Sequence, residues 1–413
     1  MNETVLAESP VSEVVVTGPE PKAQGAVRLI SLDAFRGLVM VLMLAEHTHL
    51  HQVAGAFPNS AFWRVIAFNT DHVDWQGCSL HDLIQPAFSF LVGAALPFSI
   101  ASRKLKGQTF GPMLGHAIRR ALILILLGIF LRSLKSPQTY FTFEDTLTQI
   151  GLGYVFLFLL GFTRPRTQVV TLVLILIFFW AAFALYPAPG PQFDYARVGV
   201  PANWSHNYTG FLSHWNKNSN LSWAFDVWFL NLFPREQPFV FNEGGWSTLS
   251  FIPTLGTMIL GLLAGEWLKS SGSKERKLRG LAIAGAGLLL LGLACQWAGI
   301  CPIVKRVWTS SYTLYSGGWV VLILAGFYAL IEWKGWRRWA FPLVVVGMNS
   351  IAIYVMSWTM VDFFGDAVDR HFGRVIAAMS GPTFQPVLHG LAVLVIFWMI
   401  LFWMYRRKIF LRI

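Results

Sequence analysis

Histidine and carboxylate side chains are concentrated just after the first apolar stretch of the chain. Five of the ten histidines lie within positions 47–81. Imidazole titrates near neutral pH and can act as a general acid, a general base or a metal ligand. Three interpretations are open: a metal site, a general base oriented by a carboxylate, and a polar interfacial loop without chemistry. The His-x-His-x-His run at 47–51 would point its rings in different directions on a helix, and no His-Glu-x-x-His or Cys-x-x-Cys spacing accompanies it. We therefore predict no metal.

Ionisable side chains also lie at the edges of apolar stretches, where an unpaired charge is costly in a bilayer. Asp33 and Arg36 are three residues apart, which places both on one helix face and predicts a structural ion pair. Arg119 and Arg120 either extend towards lipid headgroups or hold nucleotide phosphates, because the guanidinium fork matches phosphate oxygens. Asp82 begins the second apolar stretch, where it can favour a helix N-terminus or orient a histidine.

The elements that must position these residues are apolar. Of the 413 residues, 55% are hydrophobic and only 13% are charged, and the mean hydropathy is +0.53. Soluble domains carry about 25% charged residues, so the composition excludes a soluble or a disordered protein. The net charge of +11 is typical of basic residues kept on one side of a membrane, rather than of nucleic-acid binding. Cys78, Cys295 and Cys301 form neither a metal-binding spacing nor a disulfide framework.

Ten apolar segments are long enough to cross a bilayer as helices, in which every backbone polar group is bonded internally. We therefore predict an all-α fold, a polytopic transmembrane helix bundle of about ten spans. The segments run over 29–50, 83–101, 113–133, 146–163, 168–186, 246–268, 280–298, 313–332, 340–361 and 386–405.

The segments that lie outside the predicted spans define the rest of the organisation. Residues 1–27 lack the apolar core of a secretory signal and are predicted to be a disordered cytoplasmic tail, followed by one transmembrane domain at 28–413. The polar and aromatic break at 187–245 is predicted to be a folded outer loop, with a short interfacial helix near 222–233. Lys and Arg are concentrated in alternate short loops, which places both termini in the cytoplasm and His72 on the outer face.

A set of ordered motifs resembles a known family. The segment 72–93 reads His-x-x-Trp-x-Gly-x-Ser-x-x-Asp-Leu-x-x-Pro-x-Phe-x-Phe-x-x-Gly, and it resembles the core of the heparan-alpha-glucosaminide N-acetyltransferase family with its bacterial relatives. The resemblance extends from about Arg28 to the C-terminus. Its other motifs follow in order: Arg-Leu-x-Ser-Leu-Asp-x-Phe-Arg-Gly at 28–37, Glu-Gly-x-x-Ser-Thr at 243–248, Lys-x-x-Trp-x-x-Ser-Tyr at 305–312 and Gly-Met-Asn-Ser-x-x-x-Tyr at 347–354.

The resemblance implies a membrane acetyltransferase. Such an enzyme takes the acetyl group of cytosolic acetyl-CoA and delivers it across the bilayer to an amino sugar or related glycan. It implies that His72 is the catalytic histidine, and that the protein is a homodimer, here expected in a bacterial inner membrane. Family members carry an asparagine that ends the first span and assists this histidine, whereas the matching position here is His47. Asp82 or Asp74 can fix the tautomer of His72.

The acetyl donor requires a second set of side chains. Arginines suit the CoA phosphates, and a hydroxyl or amide donor is needed for the oxyanion that forms on the thioester carbonyl. The polar residues at 347–354 could take part in binding the donor, or they could instead hold neighbouring membrane helices together. The predicted cofactor-binding residues are Arg119, Arg120, Ser247, Asn349, Ser350 and Tyr354.

Two alternative functions fit the same residues. A histidine base would serve a hydroxyl as well as an amine, which describes an O-acyltransferase of periplasmic glycans. A chain with many membrane spans and charged residues within them could also be a transporter. Against this function, the sequence has no inverted repeat with a matched pair of broken helices.

Overall fold

The computed structural model describes residues 29–201 and 203–411 of the chain. The described part is helical and contains no strand, only an isolated antiparallel bridge between Gln76 and Val304. The tail predicted at 1–27 lies outside the described residues.

Fourteen helices are named here in chain order within the described ranges. They are α1 (Ile30–Ala45), α2 (Leu50–Gly55), α3 (Ala61–Thr70), α4 (Ile84–Leu105), α5 (Phe110–Ser133), α6 (Thr146–Leu160), α7 (Pro165–Leu185), α8 (Leu221–Phe229), α9 (Phe251–Lys269), α10 (Lys274–Trp297), α11 (Ser310–Tyr328), α12 (Phe341–Gly347), α13 (Ser350–Thr359) and α14 (Val361–Arg406).

The helices confirm a polytopic helical membrane protein. Seven helices of the described chain are long and apolar enough to cross a bilayer, and α12 with α13 form an eighth candidate that is bent by 63°. Each of the ten predicted segments contains a helix. However, α1 has 16 residues and α6 has 15, fewer than the about 20 that a full crossing needs. A count of ten complete spans therefore stays a prediction.

The last helix differs from the prediction. The sequence indicated a span at 386–405, whereas α14 runs for 46 residues and is kinked at Gly381, whose φ of 64° and ψ of 174° are not helical. Pro382 and Pro386 follow the kink and have no N–H to donate. The kink therefore divides α14 into two arms, and its second arm is the predicted span.

Glycines bring the helices that carry the site into backbone contact. A Cβ placed on Gly93 of α4 would lie 1.9 Å from the Met258 carbonyl oxygen of α9, and one on Gly261 of α9 would lie 1.9 Å from the Phe90 carbonyl oxygen. Similarly, a Cβ on Gly347 of α12 would lie 1.9 Å from the Asp33 carbonyl oxygen of α1. Small residues allow the backbones of two membrane helices to approach each other closely. At these three positions any side chain would collide with a backbone carbonyl, so only glycine fits.

The predicted outer loop is folded. Its predicted short helix exists as α8, followed by a 3-10 turn at Leu230–Leu232. The loop packs on the rest of the chain through buried aromatic rings, with the Trp75 indole Nε1 donating to the Trp215 carbonyl at 3.2 Å. Trp215 stacks on Phe183 of α7, with 6.3 Å between ring centroids. The loop thus forms one wall beside the histidine segment.

Candidate functional site

The site begins with a capping arrangement at the start of the α4 span. The Ser79 Oγ accepts a hydrogen bond from the Asp82 backbone N–H at 3.2 Å, and the Asp82 Oδ2 accepts one from the Ser79 N–H at 3.0 Å. This reciprocal pair is a capping box, which satisfies two of the N–H groups that a helix start leaves free. The Val73 N–H also donates to Oδ2, at 3.2 Å. The capping bonds fix the carboxylate and leave its Oδ1 oxygen directed at other side chains.

Asp82 Oδ1 joins a histidine and a lysine. The His72 Nδ1 lies 2.7 Å from this oxygen, the Lys305 Nζ lies 3.1 Å from it, and the two nitrogens are 3.2 Å apart. An ionised carboxylate accepts hydrogen bonds only, so His72 donates through Nδ1–H and Lys305 donates through its ammonium. The neutral imidazole in this tautomer keeps Nε2 unprotonated, as a general base requires.

Burial separates the base from its two partners. The His72 side chain is 31% exposed, whereas the side chains of Asp82 and Lys305 are 1% and 4% exposed. Burial lowers the pKa of Lys305, and the neighbouring Asp82 carboxylate opposes that shift. The His72 imidazole is therefore accessible, whereas the Asp82 carboxylate and the Lys305 ammonium beside it are buried. The attraction between these two charges is stronger in this buried position than it would be in water.

Two loops hold the histidine segment against Lys305. The Gly77 N–H donates to the Ile303 carbonyl at 2.9 Å, beside the bridge between Gln76 and Val304. Gly77 has a φ of 115°, which favours glycine at this turn. From α11, the Tyr312 hydroxyl donates to the Asp82 carbonyl at 2.8 Å. The residues before α4 and before α11 therefore form one unit.

Trp246 closes one side of the site. Its ring lies edge-on to the His72 ring, with 5.7 Å between centroids. The Arg306 guanidinium lies 4.6 Å from the Trp246 ring centroid and donates to the carbonyls of Gly244 and Val73. Arg306 thus ties the outer loop to the histidine segment, and cation–π contact helps to fix the indole.

His81 and Glu46 form the other side, and they were not predicted. The rings of His72 and His81 lie 4.4 Å apart, and the His81 Nε2 is 3.9 Å from the Glu46 carboxylate. The prediction placed His47 beside His72. The charged neighbours of the His47 side chain are instead Glu46, His49 and Asp362, and its backbone carbonyl packs against Gly390 of α14. Glu46, directly after α1, is the residue that contacts His81.

Asp74 does not share the role of Asp82. Its carboxylate is exposed and lies 3.6 Å from the His206 Nε2 in the outer loop. Of the two predicted carboxylates, the structure thus brings only Asp82 to His72. Within the described ranges, no group of three or more His, Cys, Asp and Glu residues is arranged to hold a metal ion.

The Asp33 and Arg36 side chains contact each other in α1. Their Oδ1 and Nη1 atoms are 3.3 Å apart, as the spacing on one helix face predicts. They lie in the first turns of α1, about 15–20 Å along the helix from Glu46 at a rise of about 1.5 Å per residue. The pair is therefore remote from His72.

The adjacent arginines of α5 have different surroundings. Arg119 is exposed. Arg120 donates to the Tyr154 hydroxyl at 3.0 Å, and its guanidinium lies 4.6 Å from the Tyr154 ring centroid. The buried Arg120 Nε has no hydrogen-bond partner among the described residues. Both arginines lie in the first half of α5, and α5 begins after the end of α4 that is farther from His72.

The remaining predicted residues divide between two places. Ser247 is buried next to Trp246, with its Oγ 3.0 Å from the Ser250 Oγ. Asn349 lies at the break between α12 and α13, where its side-chain amide bonds to the backbone of Ile409 and Leu411. Ser350 begins α13 and Tyr354 is buried within it. Since α12 packs on the start of α1 at Asp33, the structure does not bring Asn349 to the histidine.

Several site residues could not be assigned a role from the sequence. Lys305 and Arg306 are consecutive basic residues in a short outer loop, and Trp246 lies in a run of glycine and tryptophan. Two signals were available: Lys305 opens the Lys-x-x-Trp-x-x-Ser-Tyr motif of the family resemblance, and the basic pair lies on the side that was predicted to carry fewer basic residues. Their role depends on contacts across more than 200 positions of the chain, which local spacing does not reveal.

Comparison with known proteins identifies two relatives. The chain is 23% identical over 388 residues to the heparan-alpha-glucosaminide N-acetyltransferase of Mus musculus, and 23% identical over 375 residues to that of Homo sapiens. The alignments cover 84% and 82% of this chain, but only 56% and 54% of the relatives, so the chain spans about half of their length. No family model matches. These alignments confirm a distant family relationship.

Proposed function

We propose that this chain, a distant relative of the heparan-alpha-glucosaminide N-acetyltransferases, is a membrane acetyltransferase that acetylates an amino sugar with His72 as general base. The donor in this proposal is acetyl-CoA and the acceptor is an amino sugar or related glycan. The observation that carries the proposal is the half-exposed His72 imidazole, held by the buried Asp82 carboxylate at 2.7 Å on a bundle of apolar helices. A homodimer in a bacterial inner membrane, with both termini cytoplasmic, stays a prediction.

The first chemical requirement is a neutral amine. An amino-sugar nitrogen is mostly protonated near neutral pH and attacks only after losing a proton. In the proposed step the nitrogen bonds to the thioester carbonyl carbon while the His72 Nε2 takes its proton. The carbon–sulfur bond then breaks, and the CoA thiolate leaves and is protonated. A positioned base contributes about 10²–10⁴-fold in rate.

Asp82 and Lys305 prepare the base. Asp82 holds His72 in the tautomer whose Nε2 is free, and it stabilises the imidazolium that forms during transfer. The Lys305 ammonium balances the carboxylate charge before the reaction, at 3.1 Å from Asp82 Oδ1. Without this cation, the buried carboxylate would carry an uncompensated charge, which is costly away from water. The ion pair therefore keeps Asp82 ionised and able to accept the hydrogen bond from His72.

The donor is proposed to arrive from the opposite end of the bundle. CoA is anionic, so its phosphates stay at a membrane face while the pantetheine arm reaches inward. The exposed Arg119 and the partly unsatisfied Arg120 suit those phosphates.

Buried polar side chains lead from Arg120 towards the base. The Arg120–Tyr154 pair is followed, nearer to His72, by Gln149 of α6, whose side-chain carbonyl accepts from Gln85 at 3.1 Å and from Thr254 at 2.9 Å. Polar groups of this kind can exchange hydrogen bonds with pantetheine amides.

Replacing the base tests the proposal. We expect that His72→Ala abolishes transfer of labelled acetyl from acetyl-CoA to glucosamine, while the purified variant keeps the wild-type thermal midpoint. His206→Ala is the matched control, because it removes an imidazole from the same face without touching Asp82. Turnover at the wild-type rate in His72→Ala would remove His72 from the mechanism.

A second measurement separates direct transfer from an acetyl-histidine intermediate. We propose direct transfer, in which donor and acceptor are bound together. Incubation with labelled acetyl-CoA alone is then expected to leave the protein unlabelled. Stoichiometric label that moves onto added glucosamine would instead establish a covalent intermediate.

Two further measurements separate the alternatives. Binding of CoA to the purified protein distinguishes an acyltransferase from a transporter. A panel of amino sugars and neutral glycans, assayed with labelled acetyl-CoA, then distinguishes N-acetylation from O-acetylation. The proposal predicts CoA binding and label on the amine.

A further inference from the structure

The short helix α3, which precedes the histidine segment, has an apolar face that is exposed. Phe62, Val65 and Phe68 are 65%, 60% and 55% exposed, and their spacing of three residues places them on one side of the helix. Trp63 and Ile66 on the opposite side are half-buried. A helix on the surface of a soluble protein has a polar outward face, so the outward face of α3 calls for apolar surroundings.

Both ends of α3 are attached to the ends of membrane spans. Near its C-terminal end, the Asn69 Oδ1 accepts a hydrogen bond from the Leu80 N–H at 3.1 Å, shortly before the α4 span. Near its N-terminal end, the Trp63 ring lies 5.9 Å from the ring of Phe384, in the first turn of the second arm of α14. Aromatic rings are common where spans leave the bilayer. These contacts hold α3 at the level of the membrane surface, with its exposed face beside the spans.

A lipid leaflet is the partner that fits this face. Arg64 borders the apolar residues and is exposed, and its Nη1 donates to the Pro58 carbonyl at 3.3 Å. An arginine in this position can extend its guanidinium to lipid phosphates while the apolar side chains enter the acyl boundary. A second protein chain would need a matching apolar surface, whereas lipid already surrounds the spans to which α3 is attached.

The depth of α3 sets the depth of the proposed base. The helix ends at Thr70, and His72 follows two residues later. Between them, the Asp71 carbonyl accepts a hydrogen bond from the Ser79 Oγ at 2.7 Å, and the same hydroxyl caps the start of the α4 span. The His72 side chain is 31% exposed. With the apolar face of α3 in lipid, the accessible imidazole therefore opens at the level of the lipid headgroups.

We propose that α3 lies in the lipid leaflet on the side of His72, and that the acceptor is an amino sugar carried on a membrane lipid. The inference rests on the proposed function and names the class of its acceptor. A lipid confines the amine to the layer in which the base opens, whereas a soluble sugar is diluted through the whole aqueous volume. The transfer itself is unchanged: the nitrogen bonds to the thioester carbonyl carbon, His72 takes one proton, and the CoA thiolate leaves and is protonated.

The position of α3 is tested first, without any assay of activity. A nitroxide is attached at Val65→Cys in a chain whose partly accessible thiols are removed by Cys78→Ser and Cys295→Ser. In vesicles of phosphatidylethanolamine and phosphatidylglycerol, we expect the label to collide with oxygen, which concentrates in lipid, and to be protected from a water-soluble nickel chelate. A label at Glu236→Cys, an exposed position of the outer loop, is the matched control and should collide with the chelate.

The class of acceptor is tested by kinetics in the same vesicles. Glucosamine joined through its anomeric carbon to a dialkyl lipid is compared with soluble glucosamine, both expressed per total volume, with acetyl-CoA as donor. We expect the wild-type kcat/KM to be about tenfold or more higher for the lipid-borne acceptor.

Variants of the apolar face connect the two measurements. Phe62→Ser combined with Phe68→Ser removes apolar area that holds α3 in lipid, so we expect kcat/KM to fall about tenfold for the lipid-borne acceptor and to stay unchanged for soluble glucosamine. Ala61→Ser alters the exposed first residue of the helix with little loss of apolar area, and this matched control should behave as the wild type.

Each outcome bears on a separate claim. A Val65→Cys label that meets the nickel chelate as freely as the control overturns the position of α3, and protection from both oxygen and chelate overturns it in favour of a second copy of the chain. If the wild type uses both acceptors equally, or the double variant loses activity equally with both, the acceptor class is overturned while the proposed function stands. Transfer to neither acceptor refutes the proposed function and the acceptor class together, and the label still decides where α3 lies.

Discussion

At the residue scale, the two oxygens of Asp82 have separate roles: Oδ2 accepts the capping hydrogen bonds, and Oδ1 bonds to His72 and Lys305. Asp82→Asn keeps the size of the side chain. However, it removes the carboxylate charge and can place an NH2 group, which donates, where the His72 Nδ1–H needs an acceptor. We expect kcat to fall by about 10²–10⁴-fold, the range for loss of an oriented base, with a smaller change in KM. Steady-state kinetics with labelled acetyl-CoA measure both, and an unchanged kcat would separate Asp82 from catalysis.

Lys305 balances the charge of the buried Asp82 carboxylate. Lys305→Met removes the ammonium but fills the buried volume, and Asp82 keeps its bonds from Val73, Ser79 and His72. Because the buried carboxylate then has no cation beside it, we expect the free energy of unfolding to fall by about 3–5 kcal/mol. Denaturant unfolding in detergent measures this loss, and an unchanged stability would contradict the charge-balancing role of Lys305.

Asp226, a buried carboxyl group on α8, makes the stability of the protein depend on pH. Burial raises its pKa to about 7 from the usual 3.8, so the folded protein holds this proton more tightly than the unfolded chain. The resulting stabilisation is fully present below about pH 4 and is lost as pH rises through 7, by up to about 4 kcal/mol. Relative to wild type, Asp226→Asn should therefore gain thermal stability as pH rises from 5 to 8. Parallel pH curves for the two proteins would contradict the assignment.

Sequence reasoning found part of the site at this scale. His72 and Asp82 are ten positions apart and precede an apolar stretch, so their spacing carried a local signal. Lys305 and Trp246 come from distant segments, and only the folded chain brings them to the His72 imidazole. Asn349 was predicted from its polarity, but its amide is occupied by the backbone near the C-terminus.

At the scale of elements, the packing of α4 on α9 positions Asp82. Gly261→Ala would place a Cβ 1.9 Å from the Phe90 carbonyl oxygen, so the two helices would have to separate. We expect a loss of about 1–3 kcal/mol or more in stability, together with reduced activity. Gly111→Ala is the matched control, since a Cβ there meets nothing within 4 Å. Equal thermal midpoints for the two variants in detergent would contradict this packing argument.

The helices could be predicted because a long apolar segment in a bilayer must bond all its backbone polar groups internally, and a helix does this within one segment. Element boundaries and bends were less predictable. The first arm of α14 contains several charged residues among its apolar ones, so hydropathy did not identify it as helix. The bend between α12 and α13 depends on contacts of Asn349 with the chain end, which lies sixty positions away.

At the scale of the whole molecule, the two predicted substrate regions lie towards opposite ends of the bundle. His72 lies before the start of α4, whereas Arg119 lies in α5, which follows the far end of α4. Between His72 and Arg119 lie Gln149 and Tyr154 of α6. Their polar side chains are buried and bond to Gln85 and Arg120, respectively. This order suits transfer across a membrane, in which donor and acceptor never share a compartment.

Sealed vesicles containing the reconstituted protein test this central claim most directly. Labelled acetyl-CoA is enclosed inside, and a membrane-impermeant oligosaccharide ending in glucosamine is supplied outside. The account predicts that labelled oligosaccharide accumulates outside while CoA stays inside, and that His72→Ala vesicles form none. Product that forms only when acetyl-CoA and the oligosaccharide are supplied on the same side would contradict it.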